Sequence, residues 1–201
     1  MTRLLLGTKN EGKIAEAVEL LAEIEGLELL TFFEHSFSDV DETGGTFLDN
    51  ALLKASGICF ETGLPVLAED AGLEVVHLGG APGVVSARFS GMPVDYARNN
   101  ELLLRRMKGA TDRRARFVTV AVLRLSDGQT FASSGVLRGS ITEIPRGGGG
   151  FGYDPLFVPE GSPRTLAEMS LAEKNRISHR QRALSRIRPA LVDLLDSGEL
   201  L

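Results

Sequence analysis

Arg3-Leu4-Leu5-Leu6-Gly7-Thr8-Lys9-Asn10-Glu11-Gly12-Lys13-Ile14 decides how this chain folds. Residues 3–7 read as a short apolar strand, and beyond the polar turn Ile14, Ala17, Val18 and Leu21 recur at helical spacing. Strand, loop and helix in that order open an α/β fold. Further along, Leu48, Ala51, Leu52, Ala55 and Cys59 form the apolar stripe of a second helix over 47–60, with Thr46 to Asp49 as its cap. Residues 65–68 predict a buried strand that ends in Glu69-Asp70-Ala71-Gly72, placing two acids at the carboxyl end of a strand, where α/β sheets bind ligands. Residues 73–78 resume an extended pattern, and 96–107 predict a helix. Two β-branched runs, 117–125 and 129–137, meet at Ser126-Asp127-Gly128, a hairpin signal that gives the sheet an antiparallel portion. The four glycines at 147–150 predict a mobile or ligand-approaching loop. A closing helix over 178–195 buries Leu184, Ile187, Leu191 and Leu194, and Pro189 should kink or divide it.

A length of 201 residues, 43% hydrophobic and 24% charged, suits one globular domain over 1–201. The formal net charge of -5 gives no global reason to bind polymeric nucleic acid, although a small anion can still be held by local charge. Cys59 is the single cysteine, so no disulfide forms within the chain, and its apolar setting predicts an inert buried thiol. No charged leader precedes the first strand and no apolar stretch approaches about 20 residues. Neither secretion nor membrane insertion is expected, and the cytoplasm is the expected location.

The chemistry begins at Gly7-Thr8-Lys9-Asn10-Glu11-Gly12-Lys13, which meets the first seven positions of the phosphate-cradling pattern G-x-x-x-x-G-K. The eighth position should carry a hydroxyl for magnesium, but here it is Ile14. Thr8, Asn10, Gly12 and Lys13 still suit anion binding at a helix start, and on this segment alone an ordinary polar turn stands level with that reading. Glu42, Glu69 and Asp70 offer the oxygen donors that magnesium takes, or are solvated loop acids; Asp70, ahead of Ala71-Gly72, has the more site-like position. Lys54 is a cation in a cleft or an exposed helix residue. Gly79 through Arg88 concentrates glycine, proline and one arginine too specifically for a linker. Phe151-Gly152-Tyr153-Asp154-Pro155 sets two aromatics beside an acid, able either to stack on a purine or to pack in a core. Ser178-His179-Arg180-Gln181 has the form of a capping box, and Lys174, Arg176, His179 and Arg180 make a basic cluster that is unfavourable at a positive helix end unless something accepts from it. His35 and His77 lack partners at metal-ligand spacing and read as ordinary histidines.

These blocks, in this order and across nearly the whole chain, resemble the inosine triphosphate pyrophosphatase family, the dITP/XTP pyrophosphatases. The resemblance rests on Thr8 to Lys13, Glu42-Thr43-Gly44 with Phe47 to Ala51, Glu69 to Leu73, Gly80 to Gly83 with Ser86 to Arg88, Phe151 to Pro155, and Lys174-Asn175 with Ser178 to Arg180. It implies an elongated mixed parallel/antiparallel sheet with flanking helices, two lobes around a central cleft, and a homodimer. It implies hydrolysis of deaminated purine nucleoside triphosphates (ITP, dITP, XTP) to the monophosphate and pyrophosphate. By the same resemblance Thr8, Lys9, Asn10, Glu11, Gly12, Lys13 and Lys54 hold phosphates, Glu42 and Asp70 bind Mg2+ with Glu69 as a further candidate, and Asp70 is the base. Phe151, Gly152, Tyr153, Asp154, Lys174, His179 and Arg180 then surround the purine and sugar. The chain departs from the family's usual Asp-Asp-Ser-Gly with Glu69-Asp70-Ala71-Gly72, and from its usual Glu with Asp49. Ala71 removes a hydroxyl available for substrate contact. A P-loop-like NTPase or kinase releasing orthophosphate, and a nucleotide-binding regulator without turnover, are the alternatives that the residues leave open.

Overall fold

The computed structural model describes residues 2–198, so the ends of the 1–201 span lie outside the described residues. Its strands are β1 (Thr2–Leu6), β2 (Leu27–Leu30), β3 (Val66–Val75), β4 (Arg114–Arg124), β5 (Thr130–Ile141) and β6 (Phe157–Pro159). Its α-helices are α1 (Glu11–Leu21), α2 (Phe47–Thr62), α3 (Tyr96–Arg106), α4 (Leu171–Asn175) and α5 (His179–Ser197). The six strands form one sheet in the order β2-β1-β3-β4-β5-β6. β1 runs parallel to both β2 and β3, whereas β5 and β6 are antiparallel, so the sheet is mixed and the fold is α/β.

The chain divides into two compact units, one of residues 1–70, 119–135 and 180–201, the other of 71–118 and 136–179. In the first unit Leu4, Leu5 and Leu6 are all buried because both faces of the sheet are covered. Leu4 and Leu6 join Leu67, Leu123, Ala17, Leu21, Leu184, Ile187 and Leu191, which brings α1 and α5 onto one face. Leu5 joins Val66, Ala68, Val122, Ala51, Ala55, Ile58 and Cys59, which brings α2 onto the other. Burial pushes the Cys59 thiol up, so it stays protonated within this layer. In the second unit Leu73, Val75, Phe117, Leu137, Ile141 and Phe157 pack with Leu103 of α3 and with Met107, which caps its carboxyl end.

Three local expectations change. β3 does not end at Ala68 but runs unbroken from Val66 to Val75, so Glu69 and Asp70 lie in the middle of a strand. Gly72 is not among the glycines with positive φ, and the strand continues through it because Leu73 and Val75 are fully buried beyond. Pro189 lies inside α5 without dividing it, since the residue is exposed and the carbonyl it leaves without an N–H partner, that of exposed Ser185, can turn to water. Within the exposed glycines at 147–150, Gly147 and Gly149 lie against Ala167, whereas a Cβ on Gly148 would meet nothing within 4 Å. A Cβ on Gly147 would meet the Ala167 carbonyl carbon at 2.4 Å, and Gly149 N–H donates to Ala167 O at 3.0 Å. No helix among the described residues is long and apolar enough to cross a membrane.

Candidate active site

The first unit gathers its charged residues around the middle of β3. β1 leads through Gly7 into α1, and Gly7 is needed there because a Cβ would come within 2.9 Å of both Ala68 Cβ and Val66 Cγ1. Asn10 caps α1 by accepting from Lys13 N–H at 3.0 Å, and Thr8 Oγ1 accepts from Asn10 N–H at 3.2 Å. Backbone donors and Lys13 therefore meet at a helix N-terminus, where an anion is favoured. Lys13 Nζ lies 3.5 Å from Glu69 Oε1. Burial pushes the Lys13 ammonium down, against the opposing pull of Glu69, and a polyanion placed here would act in the same sense as Glu69. Lys9 is engaged otherwise, donating to Asp39 at 2.8 Å with its ammonium 4.6 Å above the Phe32 ring. Glu11 is exposed in the first turn of α1 and Gly12 is half-buried beside it.

α2 supplies the other cations and donors. Its Thr46–Asp49 capping box forms as expected, and Gly63 ends it in the left-handed region. Asn50 and Lys54, one turn apart, both reach Asp70. Asn50 Nδ2 donates to Asp70 Oδ2 at 3.1 Å, and its Oδ1 accepts from Gly44 N–H at 2.7 Å, tying down the loop that carries Glu42. Lys54 Nζ lies 3.1 Å from Glu42 Oε1 and 3.6 Å from Asp70 Oδ1. Burial pushes the Asp70 carboxyl above the usual carboxylate range; Lys54 and Lys13 oppose this and Glu42 reinforces it. That is the electrostatic setting of a general base.

Arg180 belongs to this unit, and its guanidinium is engaged far from solvent. It is 1% exposed, donates through Nε to Glu69 Oε1 and Oε2 at 2.9 and 2.8 Å, and donates through Nη1 to Glu16. Burial alone would push this guanidinium down, but Glu69 and Glu16 outweigh it and hold it above its ordinary value. The family resemblance implies Arg180 beside the purine. The side chain instead closes a buried Glu16–Arg180–Glu69 triad, and His179 is only 5% exposed. Glu69 departs from the family pattern by one methylene, and both of its oxygens are taken by Arg180, with Lys13 nearby. Glu42 and Asp70 share the Lys54 ammonium.

A cation fits between Glu42 and Asp70, because the Lys54 ammonium already occupies that kind of position and the donors are hard oxygens. No three His, Cys, Asp or Glu side chains among the described residues are arranged to hold a metal by themselves. A metal here would complete its shell with phosphate oxygens and water, as magnesium does.

In the second unit, residues 151–154 make a tight turn. Asp154 Oδ2 accepts from Phe151 N–H at 2.9 Å and from the buried Lys174 ammonium. A Cβ on Gly150 would fall 2.1 Å from that same oxygen, so the turn needs glycine there. Lys174 Nζ sits 4.8 Å from the Phe151 ring centroid. Of the two aromatics, Tyr153 is core: it is 4% exposed and its hydroxyl donates to Ser86 O at 2.9 Å. Phe151 is half-buried, with the Tyr96 ring 6.2 Å away. His179 lies flat on Phe117, with centroids 4.7 Å apart and planes 10° apart. Ala71 is half-buried on β3.

Sequence reasoning missed Glu16, and no local pattern could have found it, since its partner Arg180 is 164 residues away. It also passed over Asn50 as a site residue; the signal was its spacing of four from Lys54.

The fold and these two clusters define an α/β protein equipped to hold a polyanion beside a paired carboxylate site in one unit and a flat ring in the other. A family model described as the Ham1 family matches residues 4–190, and the chain belongs to the Ham1 family. It is 49% identical over 193 residues to a Thermus thermophilus protein named dITP/XTP pyrophosphatase, covering 95% of this chain and 92% of that one. A Deinococcus radiodurans protein of the same name is 47% identical over 187 residues, 91% of this chain and 90% of that one. The solved structure of a HAM1 protein from Coxiella burnetii is similar with a TM-score of 0.87 at 38% identity, covering 96% of this chain and all of that one.

Proposed function

We propose that this chain hydrolyses deaminated purine nucleoside triphosphates (ITP, dITP and XTP) to the monophosphate and pyrophosphate. The observation that carries the reading is Asp70, a buried carboxylate pushed up in pKa, held by Asn50 and flanked by the ammonium groups of Lys54 and Lys13. Similarity at 49% identity to a protein named for this activity supports it. Thr8 to Lys13 and Lys54 bind the triphosphate, whose charge favours the ammonium form of Lys13. Glu42 and Asp70 would hold Mg2+, which would neutralise phosphate charge and lower the pKa of a bound water. Asp70 takes the proton of the water that attacks the α-phosphorus, and pyrophosphate leaves toward Lys13. Arg180 and Glu16 keep Glu69 fixed, which holds Lys13 near the site. In the second unit Phe151 stacks on the purine while Asp154, Lys174 and the His179 segment read its edge. A pocket that donates to a 6-oxo group rejects adenine, because the amino group would leave those donors unpaired. The enzyme works in the cytoplasm as a homodimer, and sedimentation as a monomer at working concentration would refute the second half of that statement.

The test is incubation with ITP, XTP, ATP and GTP in Mg2+, separating mono- from diphosphate and pyrophosphate from orthophosphate. Monophosphate with pyrophosphate, faster for ITP and XTP, is the expected result. Diphosphate with orthophosphate overturns it.

A further inference from the structure

The turn that carries Phe151 and Asp154 is held from outside by α3. Asn100 Nδ2 donates to Gly152 O at 3.0 Å, and one helical turn earlier the Tyr96 ring lies 6.2 Å from the Phe151 ring at 48°. Gly152 has φ +63°, so its carbonyl direction depends on a backbone conformation that few residues share. α3 is itself anchored: Asn99, 1% exposed, donates through Nδ2 to Ala87 O at 2.8 Å and accepts from Ser90 N–H at 2.8 Å. The amide of Asn100 is kept at a cost, because its Oδ1 is buried with no hydrogen-bond partner. The contact that this amide does make is its donor to Gly152.

We infer that Asn100, with Tyr96 beside it, is a positioning residue for base selection. It fixes the Gly152 carbonyl, and through the 151–154 turn it fixes the angle at which the Phe151 ring and the Asp154–Lys174 pair meet a purine. The inference rests on the proposed activity. It assigns to α3, which contributes none of the side chains expected at the substrate, the control of which base is accepted.

The chain offers a direct probe, since it has no tryptophan and only two tyrosines, Tyr96 and Tyr153, both at this turn. Tyrosine fluorescence therefore reports the turn alone, and titration with inosine monophosphate should change it in the wild type. In Asn100→Leu, inosine monophosphate binding by that signal and KM for ITP should both weaken by about 10-fold, the loss of roughly one hydrogen bond's contribution. The preference for ITP over ATP in kcat/KM should narrow by a similar factor. kcat for ITP should stay within about 2-fold, and the urea midpoint should hardly move, because removing the unpaired Oδ1 offsets the lost bond. Asn100→Asp, which sets a carboxylate against the Gly152 carbonyl, should have the larger effect. Unchanged KM and selectivity in both variants overturn the inference, as does a proportional loss with ITP and ATP that follows a lowered urea midpoint. A wild type that releases no pyrophosphate from ITP overturns the functional reading instead, a result separate from either.

Discussion

Asp70 carries opposing demands at the scale of a single residue. As the base it must be ionised, yet burial raises its pKa, so the folded protein holds that proton more tightly than the unfolded chain does. The sign follows: in the metal-free protein, stability falls as pH rises from the unfolded carboxyl value, about 3.9, through the raised folded value. Asp70→Asn does not titrate. Its urea midpoint should equal that of the wild type near pH 4 and exceed it at neutral pH, and an advantage that shrinks with rising pH would refute the assignment. The same substitution should lower kcat by about 10²–10⁴-fold, the usual contribution of a general base, while leaving nucleotide binding intact. Near-normal pyrophosphate release would remove Asp70 from that role.

Between elements, the Glu16–Arg180–Glu69 triad ties α1, α5 and β3 together. Arg180→Met would remove the guanidinium between buried Glu16 and Glu69, with Lys13 still 3.5 Å from Glu69, and should cost about 3–5 kcal/mol in urea unfolding. Arg180→Lys should recover only part, because an ammonium cannot match the paired contacts to Glu69. The β1–α1 junction is equally constrained. Gly7→Ala forces a methyl against Ala68 and Val66, and should cost about 1–3 kcal/mol while displacing the loop expected to bind phosphate. A raised KM for ITP at unchanged pH dependence would report that displacement; a wild-type KM would mean that the loop absorbs the methyl without moving.

At the scale of the whole molecule, the metal and the fold are separable. Lys54 already bridges Glu42 and Asp70, so the carboxylates have a counter-charge without a metal. Chelation should abolish pyrophosphate release and Mg2+ should restore it, with the urea midpoint unchanged throughout; unfolding on chelation would make the metal structural. Much of this architecture was legible beforehand. Leu4-Leu5-Leu6, the stripe of α5, the stripes of α1 and α2 apart from Val18 and Leu48, which are exposed, the Thr46 cap and the turn at 126–128 are local patterns, and local sterics and hydrophobic period decide them. The short β2, β6 and α4 were not legible, since three to five residues carry too little period to register. The continuity of β3 through Gly72 was misread, and of the two outcomes expected at Pro189 division does not occur, because local breakers yield when burial on the far side, or solvent at the break, compensates them. For the site, the residue types and their order pointed to phosphate and carboxylate chemistry, and Asp70 stood out. Only the folded chain decided the pairings: Asn50 and Lys54 on Asp70, Arg180 on Glu16 and Glu69, Tyr153 in the core, Asn100 on Gly152. By itself the sequence determined the elements and the chemical inventory, because backbone preference and amphipathic period act over a few residues. Which charges neutralise one another was left to tertiary structure, because a buried ion pair forms between groups far apart in the chain and only once water has been excluded from both.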